Sequence, residues 1–305
     1  MVSILYQAKI FKMYSKSEIN NSYNFVAKLT KSASSNFYYA FKILPREKRN
    51  AIYAGYAFCR LVDDAVDKND NLPKKNIESQ LFNLENKLDD CLENKKHSGL
   101  WIALGETLRK HPQNLRHLKD VIDGCRMDLS KKKYKNFNQL TEYCKKVASS
   151  TGLAMIEVFG VNDSKAHKYA TDLGIALQLT NILRDIKEDY KMGRFYLPED
   201  ELRNFNISED EILSGEKKEN VIQFMEFQAK RVRDFFSSGE KLFPLINKKY
   251  RFCPEIMKDI YFEILTEIEK NNFDVINKKI TLSKTQKIKI IFPSIIKNFY
   301  IGLFR

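Results

Sequence analysis

The sequence predicts an all-α chain folded as a single domain around a central cavity. Three observations predict it. Prolines and glycines fall where they start and stop helices, apolar residues recur at three- and four-residue steps, and no useful length of chain alternates apolar with polar residues as a strand would. Eleven Gly and seven Pro in 305 residues leave little material for loop-rich β architecture. No Gly/Ser-rich linker divides the chain, and no repeat of fixed period occurs in it.

Helices are expected from about residue 20 to the end. Pro45 is placed as the first helical residue of a segment reaching Asp67. Within that segment Tyr53, Tyr56, Arg60, Asp63 and Asp67 advance by 3, 4, 3 and 4 residues and so form one stripe. The stripe is aromatic and charged together, which suits neither plain packing nor plain solvation. Pro73 opens an outer helix rich in Leu, Lys and Glu, and Pro112 opens another running through Val121, Ile122 and Met127 to about Lys131. The stretch from Asn136 to Phe159 comes next, stopped by Gly160 and carrying Tyr143. Asp163 or Ser164 caps a long helix through Leu173, Leu177 and Ile182 to about Tyr190. Gly193 ends it, and Phe195-Tyr196-Leu197-Pro198 begins a loop. Further helices are expected at about 216–245, 254–271 and 284–299.

An apolar fraction of 43%, with 21 Phe and 15 Tyr, is ample for a large core. Five cysteines (Cys59, Cys91, Cys125, Cys144, Cys253) are scattered, odd in number and free of Cys-x-x-Cys spacing. Neither a disulfide framework nor a structural zinc site is expected, and a reducing cytoplasm fits. The net charge of +13 is accompanied by no zinc finger, RNA-binding aromatic signature or basic zipper, so nucleic acid is not an expected partner. No stretch approaches the roughly eighteen uncharged apolar residues of a membrane span. No Gly-x-Gly-x-x-Gly follows a strand, so a Rossmann nucleotide domain is absent.

Two aspartate pairs carry the chemistry. Asp63 and Asp67 stand in Arg60-Leu-Val-Asp63-Asp64-Ala-Val-Asp67, and Asp185 and Asp189 in Gln178-Leu-Thr-Asn181-Ile-Leu-Arg184-Asp185-Ile-Lys-Glu-Asp189. A four-residue step puts both carboxylates of a pair on one helix face. Two such faces turned toward each other make a hard, oxygen-rich site suited to Mg²⁺ and a diphosphate. Burying these clusters without a cation would leave repelling carboxylates at high cost.

Longer words of sequence then resemble the squalene/phytoene synthase family, which joins two prenyl diphosphates head to head. They are Ser34-Ser35-Asn36-Phe37-Tyr38-Tyr39-Ala40-Phe41 before Leu44-Pro45, Tyr56-Ala57-Phe58-Cys59-Arg60 before the first pair, and Met127-Asp128-Leu129. Tyr143-Cys144 ahead of Val147-Ala148 and Gly152-Leu153, the frame Gln178 to Asp189, and Gly193-Arg194-Phe195-Tyr196-Leu197-Pro198 complete the set. The resemblance runs from about Tyr23 to Lys289. It implies an isoprenoid synthase-type helical bundle, with residues 1–20 an N-terminal lead-in without ordered structure and 21–305 the head-to-head prenyl synthase domain.

The resemblance also implies roles. Asp63, Asp67, Asn181, Asp185 and Asp189 would hold Mg²⁺. Arg60, Arg184, Ser34 and Tyr196 would contact diphosphate oxygens, with Gln178 on the same wall. Tyr56 and Tyr143 would stand beside the reacting carbons, together with Phe37. Lys278 takes a position where related enzymes commonly carry Arg, and loses the bidentate fork. The bulky Phe41 and Tyr53 are expected to close the cavity against chains longer than farnesyl. The implied activity is Mg²⁺-dependent condensation of two farnesyl diphosphates to presqualene diphosphate, with squalene or dehydrosqualene as onward products. The alternatives are a phytoene synthase acting on geranylgeranyl diphosphate and a non-catalytic basic lipid-surface module. The closest likeness is to bacterial presqualene diphosphate synthases of hopanoid pathways. NADPH stays open and is not expected to be required, and a downstream squalene-forming enzyme is an expected partner. From Lys270 to Arg305 eight Lys/Arg face one Asp, interleaved with Ile288, Ile290, Ile291, Phe292, Ile295 and Phe299. A peripheral contact with the inner membrane face through this basic helix is therefore an expectation beside a cytoplasmic location. The competing expectation is that the same apolar residues complete the fold.

Overall fold

The computed structural model describes residues 14–33, 35–68, 72–93, 97–130 and 133–303. Among them no strand forms, and one isolated bridge joins Lys133 to Phe195. The helices are α1 (Lys16–Ala33), α2 (Ser35–Lys42), α3 (Arg46–Asp67), α4 (Lys74–Asp90), α5 (Leu100–Lys110), α6 (Asn114–Ser130), α7 (Phe137–Cys144) and α8 (Ser150–Phe159). They continue with α9 (Ser164–Arg184), α10 (Ile186–Lys191), α11 (Glu199–Asn204), α12 (Glu209–Ser214), α13 (Glu219–Gly239), α14 (Lys248–Lys270) and α15 (Lys284–Leu303).

Local chemistry explains most of the boundaries. Pro45 stands directly before α3 rather than as its first residue, and there its missing N–H costs nothing. Asn136 caps α7 by accepting from the Gln139 N–H at 3.0 Å, and Asp163 caps α9 by accepting from Lys165 at 2.7 Å. Helix α1 begins at Lys16, inside the expected lead-in. Tyr14 just before it is buried, its hydroxyl accepting from the His97 N–H at 2.7 Å. The helix expected from Pro254 starts at Lys248 instead, because Asn247 caps it by accepting from Lys249 at 3.0 Å and Pro254 is carried within.

Two departures from simple helices position the site. The stretch 136–159 is continuous but contains a π-helical turn, Lys145–Ser149, immediately after Tyr143-Cys144. The expected helix 163–190 breaks at Asp185, where φ is −107° and ψ 18°, into α9 and α10. Hydrogen bonds from Asp185 N to Asn181 O at 2.8 Å and from Asp189 N to Asp185 O at 2.9 Å carry the chain across the break.

Helix α9 is the centre of the bundle. Gly174, Ile175, Ala176 and Leu179 bury successive faces against α8, α13, α14 and the π turn. Two glycines clasp that turn. A Cβ on Gly124 of α6 would meet Val147 Cγ1 at 2.5 Å, and one on Gly174 would meet Ser149 Cα at 2.5 Å. Only backbone this close brings Asp128 of α6, Tyr143 of α7 and Asn181 of α9 to one end of the bundle, where the C-terminal end of α3 presents Asp63 and Asp67. All five cysteines are buried and free. No helix among the described residues is long and apolar enough to cross a membrane.

Candidate active site

Two chambers meet at the C-terminal ends of α3 and α9. One is a polar cavity of about 620 Å³ and the other a mainly apolar cavity of about 500 Å³. Arg60, Asp63, Val147, Gln178, Asn181 and Arg184 line both, so they form the junction.

The polar chamber gathers Asp63, Asp67, Asn181, Asp185 and Asp189, together with Asp128 and Glu188. Burial, then repulsion from Asp67, raises the Asp63 carboxyl to about 6. Burial, then repulsion from Asp185, raises Asp189 to about 7. Arginines offset the remaining charge. Arg60 pairs with Asp64 at 2.6 Å, Arg184 grips Asp185 through two bonds of 2.7 and 2.5 Å, and Arg194 Nη1 donates to Asp67 Oδ1 at 2.9 Å.

Arg194 is the residue whose part sequence reasoning missed. Its side chain is 12% exposed and holds Asp67 of the first pair, while its backbone N–H donates to the Asp189 carbonyl of the second at 2.9 Å. The two acidic walls are thus tied through one residue. Gly193, at φ +73°, supplies the turn that aims it. That glycine is the signal that could have revealed the role.

A second cluster lies on the chamber wall. Asp128 accepts from the Tyr143 hydroxyl at 3.0 Å and the Tyr196 hydroxyl at 2.8 Å, and the two hydroxyls are 3.1 Å apart. Tyr143 stacks on Tyr196, with ring centroids 5.1 Å apart. Burial raises Asp128 to about 6 against the lowering influence of Arg194 and both tyrosines. Burial and the neighbouring Asp128 push both tyrosines up, so they remain donors.

The apolar chamber is lined by Phe37, Phe41, Tyr56, Cys59 and Leu173 among others. Tyr56 lies edge-on to Phe37 and Phe41, with centroids 6.0 and 5.9 Å apart. Tyr53 does not line this chamber. It is buried behind Phe41 and stacks on Tyr38 with centroids 5.8 Å apart, so Phe41 alone of the expected pair faces the space. Lys278 is also misplaced by the sequence expectation. It is exposed, its Nζ donating to Asn271 Oδ1 at 3.4 Å, while Lys279 lines the polar chamber with Lys287. In the helix-free segment before α15 a shift of one residue changes the side from which a side chain leaves. Ser34 lies outside the described residues.

The donor set fits a hard cation. The candidate ligands are oxygen donors, with the Cys125 thiol on the same wall donating to Asp63 Oδ1 at 3.5 Å, and Asn181 Oδ1 is buried at the junction without a hydrogen-bond partner. Among the described residues no three of His, Cys, Asp and Glu close into a preformed cage. A magnesium ion would therefore take one or two of Asp63, Asp67, Asp185 and Asp189, with water and diphosphate completing its shell.

An all-helical bundle with facing acidic pairs above an apolar cavity defines an isoprenoid synthase-type protein. The structure superposes on a dehydrosqualene synthase with a TM-score of 0.81 and 29% identity, covering 92% of this chain and 97% of that one. It shares the fold of squalene synthase HpnC from Alicyclobacillus acidocaldarius, with a TM-score of 0.78 and 24% identity over 85% of this chain and 97% of that one. In sequence the chain is 34% identical over 281 residues to the chloroplastic phytoene synthase of an Oncidium hybrid cultivar, covering 90% of this chain and 67% of that protein. It is 33% identical over 282 residues to the 15-cis-phytoene synthase of Synechococcus elongatus, covering 88% of this chain and 91% of that protein. The chain thus spans about two thirds of its chloroplastic relative. The family model for squalene/phytoene synthases matches residues 30–286, and the chain belongs to that family of head-to-head prenyltransferases.

Proposed function

We propose that this protein condenses two farnesyl diphosphates head to head, in a magnesium-dependent reaction, to presqualene diphosphate. The observation that carries the proposal is the junction, where one set of residues borders both an acidic chamber and an apolar one. A prenyl diphosphate has the same two-part character. Bound magnesium would neutralise the leaving diphosphate. Arg60 and Arg184 sit at the junction and can exchange their present Asp64 and Asp185 partners for diphosphate oxygens. The donor C–O bond breaks and its electron pair leaves with diphosphate. The acceptor double bond supplies the pair for the new C–C bond, and loss of a proton closes the cyclopropane. Phe37 and Tyr56 line the chamber, and aromatic rings at its wall stabilise a transient cation without quenching it. The packed apolar wall keeps water, which would trap that cation as an alcohol, away from it. The Tyr143–Asp128–Tyr196 cluster on the polar chamber wall is a built proton relay.

Geranylgeranyl diphosphate is the second reading, favoured by the phytoene synthases among the curated relatives. Incubation with either diphosphate and Mg²⁺, with and without NADPH, and mass identification of the lipid tests both. A cyclopropyl prenyl diphosphate formed only with Mg²⁺ is expected, and a protein that makes no prenyl product from either substrate would sink the proposal. A hydride donor would be needed only for onward reduction to squalene. A product released as the diphosphate would require a downstream squalene-forming enzyme.

A peripheral lipid contact through α15 is proposed as well. Ile290 and Ile291 pack against the core, so they complete the fold, whereas Ile288 and Phe292 are 62% and 58% exposed. No Asp or Glu follows Asp274, while Lys284 and Lys289, both exposed, do. Apolar side chains among cations suit an anionic bilayer. Salt-sensitive co-sedimentation with anionic vesicles is expected, lost in an Ile288→Ser/Phe292→Ser double variant. Undiminished sedimentation of that variant rejects the contact.

A further inference from the structure

Gly55 stands in the middle of α3, where glycine is among the poorest helix formers. At Gly124 and Gly174 the need for glycine is visible, because another element fills the place of a side chain. At Gly55 no heavy atom lies within 4 Å of where a Cβ would stand, and the residue lines the apolar chamber. Its missing side chain allows no close approach. What it leaves is open bore.

Ala51, one turn earlier on α3, lines the same chamber. Ala51 and Thr107 also border an open surface groove with Tyr23, Glu47 and Lys110, so these two small residues form the wall between the chamber and the outside. Thr107 is fixed there, its hydroxyl donating to the Ala103 carbonyl at 2.8 Å. At 1.5 Å per residue, Gly55 lies about 12 Å and Ala51 about 18 Å along α3 from Asp63. A chain held by its diphosphate at Asp63 therefore passes Gly55 about two thirds of the way along and meets Ala51 at its end.

We propose that Gly55 and Ala51 set the bore and reach of the chamber and so select the length of prenyl diphosphate the enzyme takes. The proposal rests on the prenyl diphosphate function above. It assigns Gly55 to specificity, and a merely structural glycine behaves differently on substitution.

The test is competition among geranyl, farnesyl and geranylgeranyl diphosphates in wild type, Gly55→Ala, Gly55→Leu and Ala51→Leu, with melting temperature measured alongside. Gly55→Ala should raise the melting temperature, since it adds helix propensity into empty space, while Gly174→Ala should lower it. The ratio of longer to shorter donor used should fall several-fold in Gly55→Ala and about tenfold or more in either leucine variant. If a leucine variant does not fold, Gly55→Ala decides. An unchanged length ratio in active Gly55→Ala, or a fall in its melting temperature, overturns the proposal. A wild-type protein that uses none of the three donors overturns the prenyl function itself, an outcome distinct from turnover with unaltered selectivity.

Discussion

Asp189→Asn is expected to lower kcat/KM by about 10³-fold while making the substrate-free protein more stable. The loss follows from removing one of the carboxylates that would hold the metal, an electrostatic contribution of roughly 10²–10³-fold or more. The gain follows from the raised carboxyl. Asp189 lies at about 7 in the fold, against an ordinary value of 3.8, because burial and Asp185 disfavour its charge. The folded state therefore binds the proton more tightly than the unfolded chain, and stability is lost as pH rises from about 4 through about 7. Asparagine removes that cost. The melting temperature of the variant should match wild type below about pH 4 and exceed it increasingly above that, at roughly 1.5–2 °C per kcal/mol for a chain of this size. Magnesium with diphosphate should raise the wild-type melting temperature most at high pH, and raise the variant's less. Thermal unfolding at pH 5 and pH 8 measures this, and a variant no more stable than wild type at pH 8 contradicts the assignment.

The acidic pairs were legible because their signal is local. A four-residue step on a helix fixes relative direction whatever the rest of the chain does, and the polar chamber does hold Asp63, Asp67, Asp185 and Asp189 with Asn181. The aromatic stripe was only partly legible. Ile52, Cys59 and Asp63 mark the chamber side of α3, and Tyr53 stands about 100° round from Ile52, under α2. Its direction was set by which neighbour covers the start of α3, a tertiary fact. Helix α5 was not anticipated, since no proline opens it and its sequence carries no stripe of chemistry. Asp128 carried no role in the sequence reading, because its partners Tyr143 and Tyr196 lie 15 and 68 residues away. Arg194 joined the two walls through a turn whose geometry only Gly193 hinted at. The helix break at Asp185 and the π turn after Tyr143 left no composition signal, for neither contains proline or glycine.

Tyr143→Phe and Asp128→Asn are each expected to reduce turnover about 10²–10⁴-fold, the usual worth of positioned proton transfer. The proton lost on closing the cyclopropane needs an acceptor, and Tyr143, Asp128 and Tyr196 line the polar chamber that meets the apolar one at the junction. Asp128 holds two hydroxyl donors, and the 3.1 Å contact between them completes a three-membered network. A proton accepted at either tyrosine oxygen can be relayed to Asp128, whose carboxyl at about 6 is basic enough to keep it for a time. Removing the Tyr143 hydroxyl leaves Asp128 with Tyr196 alone; removing the charge leaves two hydroxyls competing for one amide. Either change breaks the same relay, so the double variant should lose little more than the worse single one. A structural role predicts instead losses that multiply and that follow the fraction of folded protein. The distinction is read from single-turnover rates in the four proteins of the cycle, with melting temperatures to correct for folding. The kcat–pH profile of wild type should carry a limb near 6 that Asp128→Asn abolishes and Tyr143→Phe displaces. Multiplying losses with that limb intact would place the departing proton elsewhere.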